Sequence, residues 1–278
     1  MSTPGPGLRR RQLGTALEQL RRQAGKSQAE AADVLDCARS QISQFESGTR
    51  VPRKPDLPAL LGLYNAPAGM LDELEEIRLQ ANQRGWWSAH HLPEWVNNYL
   101  GLETDATAIR CFALELVPGQ LQTAHYARDT YLRHGVDEQE VARYVAVRME
   151  RQRRIGVDQS LTVVASEALL HRTSAMGEVG AVQLRYLVAA SELAGVEIRV
   201  LPFAAGGHVS MAGSFTMLEF PDQIIDPVAY QEYTGGGHLV DDCSAVDRLQ
   251  LLYSQLVEQA LSRDESAALI QEWAGRAE

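Results

Sequence analysis

Along the first 65 residues, apolar positions recur every three or four residues in short runs cut by glycine and proline. Leu13, Ala16, Leu17 and Leu20 form one stripe in LGTALEQLRRQAG, and Gly25 supplies a helix stop. Ser27-Gln28-Ala29-Glu30 then has the form of a capping box, in which hydroxyl and carboxylate reciprocally satisfy amides at a helix start. The pattern predicts a second helix from about Gln28 through SQAEAADVL, a short connection over Asp36-Cys37-Ala38, and a third helix over ARSQISQFESG that ends at Gly48. In that third helix Ile42 and Phe45 point inward and the polar residues outward. Two short helices joined by about three residues are the sequence form of a helix-turn-helix. VPRKPDLP, rich in proline, predicts an extended crossing before a fourth helix in LPALLGLYN. AGMLDELEEIRLQANQ, with Met70, Leu74, Ile77 and Leu79 apolar and acids opposite, reads as a connecting helix or as a dimer seam.

The tryptophan-rich RGWWSAHHLPEW marks the entrance to a second domain. Helices are predicted over EWVNNYLGLETDATAIRCFALELV, TAHYARDTYLRHG and DEQEVARYVAVRMERQRRI, the last opened by Asp137 with Glu140 three residues on. From Leu161 the period changes. LTVVA, VEIRVLPF, GSFTMLEF and DPVAYQEY alternate or are β-branched and read as strands, with a helix in MGEVGAVQLRYLVAASELAG faced by Val182, Tyr186 and Leu193. The helix VDDCSAVDRLQLLYSQLVEQAL and another opened by Ser262 and Glu265 follow. The expected fold is therefore an all-α amino-terminal domain of about five helices, then a larger α+β domain with a small mixed sheet. The expected boundaries are a disordered arm over 1–7, the helix-turn-helix domain over 8–66, a connecting helix and linker over 67–89, and the larger domain over 90–278.

Charge changes this picture more than overall composition does. The 278 residues carry a formal charge of -10. Residues 1–60, however, hold ten Lys/Arg and six Asp/Glu, so that segment is +4 and the remainder -14. Phosphate responds to the field within a Debye length of about 10 Å, so a basic end can bind nucleic acid beside an acidic body. No apolar run approaches the roughly 20 residues that span a bilayer, and no signal-peptide pattern opens the chain, so the expectation is a cytoplasmic protein that joins the nucleoid when on DNA. Cys37, Cys111 and Cys243 are far apart and form no CxxC pair, which argues against a disulfide framework or a cysteine zinc site.

The third helix carries the chemistry. Arg39, Ser40, Gln41, Ser43 and Gln44 lie where a recognition helix meets base edges, with Arg39 matched to guanine and Gln44 to adenine by two-atom forks. Ser27 and Gln28 at the start of the second helix, and Arg50, Arg53 and Lys54 beyond the third, are placed for phosphate. The competing reading of this polar face is an ordinary solvated surface. Ser27-Gln28, Ile42-Ser43, Glu46-x-Gly48 and Pro52 together resemble the Xre or phage-repressor type of helix-turn-helix over roughly residues 8–65. That resemblance implies a structural Glu46, paired with Arg21 or Arg22.

LELVPGQLQTAHYARDTYL, with ATAIR before it and VRMERQRRI, SEALLHR, QLRYL, VLPF, HVSMAGSFTMLEF and VAYQEY after it, resembles the carboxy-terminal domain of antitoxin-like or WhiJ-like actinobacterial regulators of the Xre type. The resemblance covers about residues 90–270 and implies a small cognate partner protein. Read by themselves, Gln120, Gln122, Thr123 and Tyr126 are either a ligand or partner surface or a structural helix start. The glycine-rich FAAGGHVSMAGSF and YTGGGH lack a phosphate-loop lysine and read as turns. His208, His238 and Asp226 have no metal-site spacing, and no GxSxG elbow exists, so neither a metal, a cofactor nor a catalytic residue is expected and the protein is not expected to be an enzyme. The arginines of VARYVAVRMERQRRI point to ion pairs, an acidic partner or a second DNA contact. Expected function is a sequence-specific transcriptional regulator, a homodimer on double-stranded operator DNA, whose acidic domain binds a partner protein or small effector. The alternative is an antitoxin-like module that neutralises a small partner, with DNA binding for autoregulation.

Overall fold

A computed structural model describes residues 4–90, 92–221 and 224–277. The chain divides into two compact units: residues 1–105 with 222–225, and residues 106–221 with 226–278.

The first unit is helical: α1 Pro6–Gln23, α2 Gln28–Val34, α3 Arg39–Glu46, α4 Asp56–Leu63, α5 Met70–Ala81 and α6 Glu94–Asp105. Its core joins Leu13 and Leu17 of α1, Ala31 and Ala32 of α2, Ile42 and Phe45 of α3, Leu57 and Leu60 of α4, and Leu74 and Ile77 of α5. The stripe on α5 is thus spent inside the unit, while Leu79 is 57% exposed. Pro6 and Gly7, which composition assigns to an arm, open α1; residues 1–3 lie outside the described residues.

Helix α6 packs on α1 through glycine. A Cβ on Gly7 would lie 2.3 Å from the Gly101 carbonyl carbon, so the two backbones meet where neither has a side chain. Asp105, the last residue of α6, accepts from the amides of Gly5 (2.9 Å) and Leu8 (3.2 Å), capping α1, whose own N-cap glycine has no side chain to do so. Trp87 is buried in the same unit, and Trp86 packs edge-on to Trp87 and His90. The partner of His90 in the sequence pair, His91, lies outside the described residues.

The second unit contains a six-stranded mixed sheet in the order β3-β2-β1-β4-β5-β6. Its elements are β1 Ala108–Ala113, α7 Ala124–Arg133, α8 Glu138–Gln152, β2 Ser160–Ser166, α9 Glu167–Ser174, α10 Glu178–Ser191, β3 Val196–Leu201, β4 Phe215–Glu219, β5 Val228–Tyr233, β6 Gly236–Val240, α11 Cys243–Gln259 and α12 Arg263–Arg276. β1, β2 and β3 are parallel; β4, β5 and β6 run antiparallel to their neighbours. Tyr253 and Leu256 of α11 pack on Phe112, Val164, Phe215 and Met217.

Three expectations are corrected here. ATAIRCF forms a strand, not the continuation of a helix. Ile109, Cys111 and Ala113 are buried on one face and Phe112 on the other, whereas Ala108 and Arg110 are half-buried, so the run is short and only partly alternating. Of YTGGGH, expected as turns, Thr234 and Gly235 do turn, but Gly236 to His238 belong to a strand, Gly236–Val240, that β5 holds in antiparallel register. In α10 the core face is Ala181, Leu184, Leu187 and Ala190, whereas Val182 and Leu193 are exposed.

Candidate nucleic-acid interface

The sequence builds the two-helix element locally. Ser27 Oγ accepts the Glu30 amide (3.2 Å) while Glu30 Oε2 accepts the Ser27 amide (2.9 Å), the reciprocal box that starts α2. The Ser27 amide, Lys26 and the Ser27 hydroxyl together hold the Glu30 carboxyl down at about 2. The turn between α2 and α3 passes through Asp36 at φ +48°, a left-handed residue that aspartate tolerates better than a branched side chain. Two glycines then fix α3 against α1. A Cβ on Gly14 would sit 2.4 Å from the Glu46 carbonyl oxygen, and Gly48 combines φ +73° with a would-be Cβ contact of 2.9 Å to the Arg10 carbonyl oxygen.

Beneath the outward face lies an ionic chain. Arg21 forks onto Glu46, Nε to Oε1 at 2.5 Å and a terminal nitrogen to Oε2 at 3.0 Å, and donates its other terminal nitrogen to the Lys26 carbonyl (2.8 Å). Both side chains are buried, and the Glu46 hydrogen bond holds the Arg21 guanidinium above its usual range. Glu46 Oε2 also accepts Gln28 Nε2 (2.8 Å), and Gln28 Oε1 accepts Arg39 Nε (3.3 Å). A buried charge pair therefore orients the first residue of α2, which in turn meets the first residue of α3. Arg22, the other candidate for Glu46, pairs with Glu18 instead (2.6 Å).

Arg39, Ser40, Ser43 and Gln44 are exposed and Gln41 is half-buried, with Ile42 and Phe45 in the core behind them. At the far end of α3, Ser47 and Thr49 share a hydroxyl hydrogen bond (2.9 Å) on the same exposed stretch, two polar residues that the sequence pattern did not single out. The residues placed for phosphate are not equivalent. Ser27 is occupied by its capping box. Arg53 forks onto buried Asp56 at 3.1 and 3.0 Å. Arg50 and Lys54 are exposed, and among the described residues they and Arg39 form no ion pair.

In the second unit, Gln120, Gln122 and Tyr126 are buried rather than presented as a surface, and Thr123 caps α7 by accepting the Tyr126 amide (3.3 Å). Gln122 Nε2 donates to the Val117 carbonyl (2.7 Å). Gln152 Nε2 donates to the Gly119 and Gln122 carbonyls (2.9 and 2.7 Å), and Gln183 bridges the Leu121 carbonyl and the Thr123 amide (both 2.7 Å). Side-chain amides from α8 and α10 thus take up the backbone groups of a loop with no ladder of its own. The arginines in and just after α8 are matched nearby: Arg143 with Glu140, Arg153 with Glu150, Arg154 with Asp158, and Arg148 on the Tyr131 hydroxyl. His208 packs edge-on to Phe112 (centroids 5.4 Å apart), and burial lowers its pKa; His238 lies exposed on β6 and Asp226 beside Cys243. No helix among the described residues is long and apolar enough to cross a membrane.

The amino-terminal arrangement defines a helix-turn-helix protein. Residues 12–74 match a helix-turn-helix domain family, and residues 96–272 match a domain of unknown function, DUF5753. That second match spans more than half of the chain, which belongs to the DUF5753 family. No curated protein and no solved structure matches it significantly.

Proposed function

We propose that the protein is a sequence-specific, non-enzymatic transcriptional regulator that lays α3 in the major groove of operator DNA. The observation that carries this reading is the chain Arg21–Glu46–Gln28–Arg39, which spends a buried ion pair on orienting an exposed arginine at the start of α3. Arg39 and Gln44 read base edges, with Ser40, Gln41 and Ser43 beside them. Arg50 and Lys54 meet phosphate, joined by the terminal nitrogen that Arg53 leaves outside its fork and by Gln28 at the start of α2. A homodimer sets two such helices on half-sites about one helical turn apart.

The DUF5753 domain of this regulator engages a partner protein and couples that event to DNA affinity, in the manner of the antitoxin-like, WhiJ-like group that the sequence resembles. A small effector is the other reading of the same domain, favoured by Gln122 Oε1, which is buried without a hydrogen-bond partner. Selection of operator sequences from random DNA, followed by binding of variants, tests the DNA half. Arg39→Ala costs about 1–3 kcal/mol and relaxes one base position, whereas Arg50→Ala weakens operator and scrambled DNA alike. Equal losses on both DNAs for Arg39→Ala would sink the base-reading role.

A further inference from the structure

The two edges of the sheet are treated differently. At β3 the Val200 amide donates to Ser266 Oγ (2.9 Å) and the Val200 carbonyl accepts from the Leu261 amide (2.9 Å), so the connection from α11 into α12 closes that edge. At the opposite edge, among the described residues, β6 pairs with β5 alone. The hairpin closes on Tyr233 and Gly236 around Thr234 and Gly235, the latter at φ +92°. In that register Gly236, His238 and Val240 bond to β5, and the amides and carbonyls of Gly237 and Leu239 point away from it. Edge strands are ordinarily guarded by lysine, proline or an inward charge. GGHLV has none of these. From Val200 to Asp247 the chain contains seven Asp/Glu and no Lys or Arg, and exposed Glu232 and Asp241 flank the strand.

We propose that β6 is a docking edge for an extended segment of a partner protein carrying Lys or Arg, which adds to the sheet as a seventh strand. Two backbone residues supply the main-chain hydrogen bonds of strand addition. The acidic rim selects the sign of the incoming side chains, and it disfavours a second copy of this chain, whose own Glu232 would face like charge. Exposed Tyr233 offers an apolar shelf beside the rim. The inference rests on the partner-binding reading of the DUF5753 domain and is independent of DNA recognition.

The test uses the full chain without DNA and a fluorescein-labelled peptide of alternating lysine and valine, with the glutamate counterpart as control. The lysine peptide is expected to bind at least tenfold tighter than the glutamate one at physiological salt and to slow exchange of the Gly237 and Leu239 amides. Leu239→Pro, which removes one outward N–H at a position where an edge strand tolerates proline, abolishes that preference. Glu232→Lys leaves the backbone intact and weakens the lysine peptide at least threefold. Equal binding to the wild type and both variants overturns the assignment of this edge while leaving partner binding by the domain standing. Absence of peptide binding, or equal binding of the two peptides, overturns the proposal itself. So does a chain that dimerises through β6 and becomes monomeric on Leu239→Pro, because a second copy is then the occupant.

Discussion

Replacing Glu46 by alanine should be among the most damaging single changes in the helical unit. The side chain is 5% exposed and accepts three hydrogen bonds, two from Arg21 and one from Gln28. Its removal leaves a guanidinium, itself 9% exposed, with the Lys26 carbonyl as its remaining described acceptor. An uncompensated buried charge of this kind costs about 3–5 kcal/mol, a large part of a small domain's stability. With a urea m-value of about 1–3 kcal/mol/M, the midpoint falls by about 2 M. Trp86, Trp87 and Trp95 lie in the first unit and Trp273 in the second, so fluorescence in a Trp273→Phe background follows the right transition. The pair replacement Arg21→Met with Glu46→Leu separates charge isolation from lost packing. It should recover most of the deficit, since apolar residues of similar volume often match or exceed a buried ion pair. A loss under about 1 kcal/mol for Glu46→Ala, or a double variant no better than the single one, would refute the reasoning. The double variant also releases Gln28, so it should fold and yet bind operator less well.

Asp105→Ala removes the only side chain seen to cap α1 among the described residues and should cost about 0.5–2 kcal/mol, with Asp105→Asn recovering part of it; urea titration followed as above checks both. Gly14→Ala forces a methyl group to 2.4 Å from the Glu46 carbonyl oxygen, so α1 and α3 must part; overpacking of this kind costs about 1–3 kcal/mol and should lower the thermal midpoint of the first unit. Glu30 has a folded-state pKa of about 2 against an ordinary 4.5, so its stabilisation is fully present above about pH 4.5 and fades as pH falls towards 2. Glu30→Gln should flatten that part of the stability profile, and an unchanged acid limb would contradict the capping role.

The helix-turn-helix was legible because its signals are local. A capping box at Ser27 and Glu30, a stop at Gly48 and inward Ile42 and Phe45 each act within one turn of chain, so reading the sequence is nearly reading the structure. What escaped was tertiary. Nothing adjacent to Gly14 reveals that the α3 carbonyls will press on it, and Asp105 caps an amide a hundred residues away. β1 was hidden because it is six residues long and carries one polar residue, Arg110, too short a run for the period to separate strand from helix. In α10 the cause is different: buried Gln183 sits among core residues because it serves the 121–123 backbone, and a polar residue on the inner face hides the stripe.

Formal charge is a poor guide to where this protein meets a polyanion; the arrangement of pairs is a better one. Residues 1–60 are +4, yet Arg21, Arg22, Lys26 and Arg53 are each engaged by an acid of the same segment. The arginines in and just after α8 are likewise matched by Glu140, Glu150 and Asp158 or by Tyr131. Charges so paired have less left for phosphate, although Arg53 keeps one terminal nitrogen outside its fork. Arg39, Arg50 and Lys54 bear no such debt, and all three lie at or just beyond the ends of α3. The phosphate contacts proposed above therefore draw on cations beside α3 that no acid of the described residues already holds.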